Sequence, residues 1–332
     1  MTEPAIITPY GGPIVASLRY RREFLQERQV LLRFHLPRFR AGHVAGIVIP
    51  VDGYDDLALL LTEISESEGQ LRLARAPSEA RAIMADGAVA VLLGVTFEAI
   101  GAKPDILHVY QELGLSVFPL ALNPRNLLTD GCGERTGAGL SYLGIDVVRK
   151  VATCGGLVDI SHTSEAGFED VAAHLSGPFI ASHSNARTLC DNPRNLTDDQ
   201  ARTIAAHGGV VALSTFPTLV STAPVATLDH FLDQIDYLVQ LIGAESVAIG
   251  ADFIDDVRDL YVPKIQRTDP GGAMYRGATV TTTQGLETIA DLRHVAAALP
   301  SRGYSAPECE RILGGNFLRV WEDARRRAGL PA

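Results

Sequence analysis

Three apolar runs in the second half of the chain end in residues able to do polar chemistry. Val158-Asp159-Ile160-Ser161-His162 and Phe179-Ile180-Ala181-Ser182-His183 each close on an imidazole, and Val247-Ala248-Ile249-Gly250-Ala251-Asp252 closes on a carboxylate. Neutral imidazole nitrogens are preferred ligands of zinc, iron and similar ions, so histidines at adjacent strand ends can converge on one metal. Asp252 could complete a mononuclear site, and it is the candidate catalytic carboxylate. Arg194, in Asn192-Pro193-Arg194-Asn195, sits in a turn just ahead of a helix. There a guanidinium could hold a substrate carboxylate through two parallel hydrogen bonds, or make an ordinary helix-entry salt bridge. A lone strand-end histidine is more often structural, and it is the shared position of His162 and His183 that marks them. The other histidines, at 35, 43, 108, 174, 207, 230 and 294, fall in helical or loop segments. No Gly-x-Ser-x-Gly elbow or Cys-His nucleophile pattern is present, which argues against a covalent hydrolase.

Positions of this kind need strands that all end on one face. Short apolar runs alternate with amphipathic segments, the pattern of βα units on a parallel sheet. The main runs are Ala5–Pro9, Ala45–Val51, Ala88–Gly94, Leu115–Ala121, Gly156–Ser161, Pro178–His183, Val210–Ser214 and Ser246–Gly250, with an extra run at Leu71–Ala74 placed outside the barrel. Eight strands with intervening helices, and no Gly-x-Gly-x-x-Gly after the first, favour a closed (β/α)8 TIM-type barrel over an open doubly wound sheet. Thr197-Asp198-Asp199-Gln200 matches a capping box ahead of a helix over Ala201–His207. Helical spacing returns from Leu286 to Leu299, where Pro300 ends it. The polar stretch Asp255–Thr283 reads as an active-site loop or lid, or as an ordinary surface loop.

The chain has 332 residues, 46% hydrophobic and 20% charged, with no Pro- or Ser-rich linker, so residues 1–332 are expected to form one domain. A formal charge of −10 argues against a nucleic-acid partner. The one basic run, Arg19 to Arg28, is broken by glutamates and reads as a solvated helix face. Cysteines 132, 154, 190 and 309 have no metal-knuckle or disulfide spacing and read as reduced core thiols. No basic leader and no membrane-length apolar run is present, so a cytoplasmic protein with a small-molecule substrate and no membrane partner is expected, with a homodimer as a candidate assembly.

From Gly139 to Trp321 the sequence resembles the membrane (renal) dipeptidase family, metal-dependent barrel enzymes of the wider amidohydrolase group. The resemblance is carried by Gly139-Leu140-Ser141, Val158-Asp159-Ile160-Ser161-His162-Thr163-Ser164, Ser182-His183-Ser184-Asn185-Ala186-Arg187, Cys190-Asp191-Asn192-Pro193-Arg194-Asn195, Ile249-Gly250-Ala251-Asp252-Phe253 and Ile312-Leu313-Gly314-Gly315-Asn316-Phe317. It implies that His162 and His183 are imidazole ligands of one metal of a two-zinc centre, and that Arg194 and Asp252 hold the carboxylate and amino ends of a dipeptide. It also implies a His-x-Asp pair after the first strand, a bridging Glu after the third and a further His after the fourth. This chain departs at each of those places, with Tyr10 and Gly12, Thr96 and Leu122.

A bridging carboxylate and an aspartate neutralise much of the charge of two divalent cations, which neutral groups cannot do. At most one tightly bound divalent ion is therefore expected, zinc first and iron as the alternative. The leading functional reading is a metal-dependent hydrolase of a dipeptide or similar small amide. The alternatives are a repurposed barrel enzyme such as a non-heme iron oxygenase of secondary metabolism, with two histidines and one carboxylate as ligands, or a non-catalytic binding protein.

Overall fold

A computed structural model describes residues 5–269, 274 and 282–332. Its strands are β1 (Ile6–Thr8), β2 (Val44–Val51), β3 (Leu71–Ala74), β4 (Val89–Val95), β5 (Leu115–Pro119), β6 (Leu157–Asp159), β7 (Ile180–Ala181), β8 (Val210–Ser214) and β9 (Val247–Ala251). Every pairing is parallel, in the order β1-β2-β4-β5-β6-β7-β8-β9. At the seam the Asp252 N–H donates to the Tyr10 carbonyl at 3.3 Å, leaving an eight-strand barrel nearly closed. The strands expected of the barrel are all present: β8 coincides with its apolar run, β2 begins one residue earlier, and the others are shorter than or shifted slightly from theirs. Leu71–Ala74 lies off the eight-strand path as expected, but it is not separate from the wall. It pairs with the first half of β4, Leu71 opposite Val89, so β4 carries β3 near its start and β5 near its end.

Strands buried on both faces read as continuous apolar runs, and their alternation separates two cores. Ile47, Ile49, Val91, Leu93, Val211 and Leu213 pack outward with helix residues such as Leu60, Val148, Ile204 and Leu238. Val48, Ala90, Leu92, Val117, Ala212 and Ala248 form the other core together with Phe317 and Trp321. Those two come from the C-terminal helix, Asn316–Arg327, which closes the barrel at the starts of the strands. The Trp321 indole donates to the Leu115 carbonyl at 3.3 Å, and the Asn316 amide donates to the carbonyls of Ala244 and Val247 at 2.7 and 2.8 Å. With that end plugged, ligand access falls to the opposite end, where the strands finish.

Local signals are met with some shifts. Thr197 caps the helix Asp198–Ala206 in a full capping box with Gln200. The Leu286–Leu299 helix is broken into a 3-10 turn, Ile289–Asp291, and an α-helix, Leu292–Ala298, while Pro300 sits in a further 3-10 turn. Within Asp255–Thr283, Arg258–Thr268 is helical rather than loop, and residues 270–273 and 275–281 lie outside the described residues. The basic run is a solvated face only in part: Arg19, Glu23 and Arg28 are exposed, but Arg19 and Arg22 are also paired. On the helix Ile14–Glu23, Arg19 pairs with Asp56 and Arg22 with Glu63 and Glu66, all three carboxylates on the neighbouring helix Tyr54–Ser65 or just after it. Glu63 is fully buried, and Arg22 supplies the charge partner that its carboxylate needs beside the Leu31 N–H at 2.9 Å. Cys154, Cys190 and Cys309 are buried free thiols, whereas Cys132 is only half-buried.

Candidate active site

The strand ends gather around a cavity of about 380 Å³ lined by Tyr10 after β1, Asp52 after β2, Thr96 after β4, Leu122 and Asn123 after β5, His162 after β6, Arg194, and Asp252 after β9. His183, after β7, reaches the site through its neighbours: its ring lies flat on Tyr10, centroids 4.0 Å apart and planes 16° from parallel, and its Nε2 stands 2.9 Å from His162 Nε2. The three residues singled out by strand-end position, and Arg194 from its turn, thus meet at one mouth.

The backbone is bent to aim two of them. His162 and Asp252 have φ of 71° and 70°, and Ala251 has 47°, left-handed conformations that cost non-glycine residues on the order of 1 kcal/mol each and persist only where the surroundings enforce them. Next to Asp252 the β8/β9 register slips, Leu213 facing Ile249 but Ser214 facing Ala251. Such a bulge turns the following side chain toward the mouth. Gly250 lies so close to β7 that a Cβ there would stand 2.1 Å from the Ser182 carbonyl oxygen.

Hydrogen bonds settle the imidazole tautomers. Asp159, fully buried at the end of β6, accepts from the backbone N–H groups of Ser161 and Ser182 at 2.9 and 2.8 Å and from the Ser182 hydroxyl. With its proton directed to Asp159, Ser182 Oγ accepts from His183 Nδ1 at 2.7 Å. Asn123 Oδ1 likewise accepts from His162 Nδ1 at 2.6 Å. Both Nε2 lone pairs then point into the same space, an arrangement that calls for a cation between them. Burial, reinforced by the Arg194 charge, holds both imidazoles well below the usual histidine pKa, in the neutral form that binds metals. Two imidazole nitrogens on one tetrahedral zinc lie roughly 3.3 Å apart, close to the separation seen here.

The donors fit one cation and not two. Among the described residues no group of three or more His, Cys, Asp or Glu side chains converges as a metal cluster. Tyr10 covers the face of His183, and Thr96 donates its backbone N–H to the Val51 carbonyl at 3.1 Å and its hydroxyl to Asp52 Oδ1 at 2.8 Å. An aspartate could not stand at position 12 without moving the backbone. Gly12 has φ of 90°, and a Cβ there would lie 2.3 Å from the Phe253 carbonyl oxygen. Nor do His162, His183 and Asp252 close into the two-histidine, one-carboxylate set required by the iron-oxygenase alternative.

Asp252 sits deep in the cavity with Ser214 Oγ 3.4 Å from its Oδ2; burial raises its pKa to about 7, against the pull of Arg194 and the Ser214 bond. Arg194 is 3% exposed. Its guanidinium donates only to neutral oxygens, Ser184 Oγ at 3.3 Å and the His183 carbonyl at 3.1 Å, and no carboxylate pairs with it among the described residues. The helix-entry salt bridge is therefore not what holds it. Asn123, Ser182, Asp159 and Asp52 were not singled out from the sequence. Asn123 and Asp52 follow apolar runs directly, so the strand-end rule could have found them, whereas Ser182 and Asp159 are legible only through their contacts.

A barrel of parallel strands with its far end plugged, and imidazole, carboxylate and guanidinium groups around its open mouth, defines the class of α/β-barrel enzymes with strand-end sites. Comparison with known proteins gives the family. The profile of the membrane dipeptidase family, peptidase family M19, matches residues 52–262. The chain belongs to this family.

An uncharacterised Klebsiella pneumoniae protein of the pqqA 5' region is 28% identical over 284 residues, 80% of this chain and 94% of that one. An uncharacterised dipeptidase of Schizosaccharomyces pombe is 32% identical over 67% of this chain, and the dipeptidase verJ of Clonostachys rogersoniana 29% over 80%. The matches span 50% and 63% of those two fungal proteins, so the chain covers less than two thirds of their length. Among solved structures, a dipeptidase described as a metallopeptidase of family M19 superposes with a TM-score of 0.80 at 23% identity, over 97% of this chain and 99% of that one. A Rhodobacter sphaeroides metallopeptidase bound to a phosphinate mimic of the dipeptide L-Ala-D-Ala gives 0.79 at 22%, with the same coverage. These likenesses establish the barrel fold.

Proposed function

We propose that this chain is a dipeptidase-family hydrolase acting on a dipeptide or similar small amide, with Arg194 anchoring the ligand's carboxylate and Asp252 its amino group. The observation that carries this reading is the buried guanidinium of Arg194, which faces the cavity without a carboxylate partner among the described residues. An unpaired buried charge is costly, and a ligand carboxylate accepting two parallel hydrogen bonds is the natural complement. Asp252, with a pKa of about 7, can hold an ammonium when ionised and can take up a proton near neutrality. His162 and His183 would hold a single divalent ion, zinc before iron, which when bound supplies polarisation of the amide carbonyl. Tyr10 stacked on His183 fixes the imidazole plane, and the Asp159–Ser182 contact fixes its tautomer.

The test is binding of a phosphinate dipeptide mimic to the wild-type protein and to Arg194→Ala, followed by hydrolysis of a dipeptide panel with zinc supplied. Binding that drops at least about tenfold in Arg194→Ala is expected, the factor for losing a charge-assisted pair. Absence of binding, or binding indifferent to Arg194, would defeat the proposal.

A further inference from the structure

The cavity's charges do not stop at Arg194 and Asp252. Arg19, Asp52 and Asp56 also line it, and the pairing among them leaves one carboxylate over. Arg19 is bound by Asp56, whose Oδ2 accepts from the Asp52 backbone N–H at 3.0 Å, so both are spoken for. Asp52 Oδ1 accepts from Thr96 Oγ1, and Oδ2 has no hydrogen-bond or ion-pair partner among the described residues. Thr96 is itself 7% exposed, so the hydroxyl that orients Asp52 is fixed in the barrel wall. The phenols of Tyr10 and Tyr261 border the same cavity, and aromatic rings beside a carboxylate favour an organic cation.

What remains for a ligand to meet is one buried guanidinium, the half-buried carboxylate of Asp252 and the exposed carboxylate of Asp52. A zwitterionic dipeptide satisfies Arg194 and Asp252 and leaves Asp52, exposed but lining the same cavity, within reach of a further group of the ligand. We infer that Asp52, held by Thr96 at the rim of the cavity, is a specificity residue that receives a second cationic group, so that the preferred ligand is a small zwitterion bearing a basic side chain. This inference rests on the reading of the cavity as a dipeptide site. It also accounts for Thr96: the hydroxyl after β4 directs a carboxylate supplied by β2 toward the ligand.

The experiment is calorimetry on the purified full chain without added metal, with glycyl-lysine, glycyl-(Nε-acetyl)lysine and 1,5-diaminopentane as probes. Glycyl-lysine should bind about tenfold more tightly than its acetylated counterpart, the size of one charge-assisted contact. That advantage should vanish in Asp52→Asn, which keeps the acceptor for Thr96, and persist in Asp55→Asn, an exposed neighbour on the following helix. Equal affinities in the wild type, or an advantage that survives Asp52→Asn, would overturn the inference whatever the hydrolytic activity. Diaminopentane binding that depends on Asp52, with neither peptide bound, would defeat the dipeptide reading and leave the cation subsite standing. If none of the three binds, both fall. Loss of zinc binding in Asp52→Asn, with no change for the amines, would reassign Asp52 to a metal and overturn its role in specificity.

Discussion

The Nε2 atoms of His162 and His183 face each other at 2.9 Å, with the Nδ1 proton of each ring already committed, one to Asn123 and the other to Ser182. Opposed lone pairs at that distance are stabilised by a cation. Without carboxylates beside them, no more than one cation is expected there. Metal analysis of protein equilibrated with excess zinc and then desalted should therefore find no more than one ion per chain; two would contradict this account of the strand ends.

Removing one of the pair should be far more damaging than removing a histidine elsewhere. His183→Ala leaves a single imidazole and is expected to lower metal affinity by more than tenfold, since even the loss of an outer hydrogen-bond partner costs about 10–100-fold. His207 closes the helix Asp198–Ala206, and its ring packs edge-on against Phe179 at 5.1 Å. This differs from the contact with terminal carbonyls that its sequence position suggests. His207→Ala should lose some stability and no metal. Variants matched for thermal stability and compared by metal titration would decide, and equal losses would remove the basis for the site.

With a pKa raised to about 7, Asp252 is expected to make stability and ligand binding depend on pH in opposite directions. Its folded pKa, about 7, lies above the unfolded value, so the folded state holds the proton over a range in which the unfolded chain releases it. The stability linked to this group is complete below about pH 4 and declines as pH rises to about 7, beyond which it is flat. Urea titrations should show this decline between pH 4 and 7 in the wild type and a shallower one in Asp252→Asn. Binding of an amine to the ionised carboxylate should instead strengthen through pH 7, and a wild-type profile identical to that of Asp252→Asn would refute the assignment.

Replacing Gly12 should not recreate the family's aspartate ligand. Any side chain there must displace the Phe253 carbonyl from a backbone already at φ of 90°. Gly12→Ala is expected to cost roughly 1–3 kcal/mol from overpacking, and Gly12→Asp at least as much. Chemical denaturation measures the cost, and zinc titration of Gly12→Asp should show no second ion. A stable variant that binds two ions would show that the backbone can yield.

Away from the site, Thr197→Ala removes one half of the capping box with Gln200 and should cost about 1 kcal/mol, a fall in Tm of about 2 °C. Metal and ligand binding should be unaffected. A change in either would mean that the helix Asp198–Ala206 positions Arg194 more directly than the turn alone.

The strands, the capped helix and the family were legible in the sequence because each rests on neighbours along the chain. Apolar runs buried on both faces announce parallel strands, and Thr197 with Gln200 announces a helix start. The segments around His162, His183, Arg194 and Asp252 announce the family. The same local reading placed His162, His183 and Asp252 at strand ends, and hence at one mouth, and Arg194 in a turn before a helix. It could not tell that Arg19 and Arg22 face the carboxylates of another helix, that β3 is bonded to β4, or that Asp255–Thr283 opens with a helix. It could name Tyr10, Gly12 and Thr96 as departures, but not why they persist. Tyr10 lies on His183, Gly12 is pressed against Phe253, and Thr96 holds Asp52. Each of these contacts joins residues that the barrel alone brings together, and its energy depends on distances of a few tenths of an ångström, which no pattern of neighbouring residues encodes.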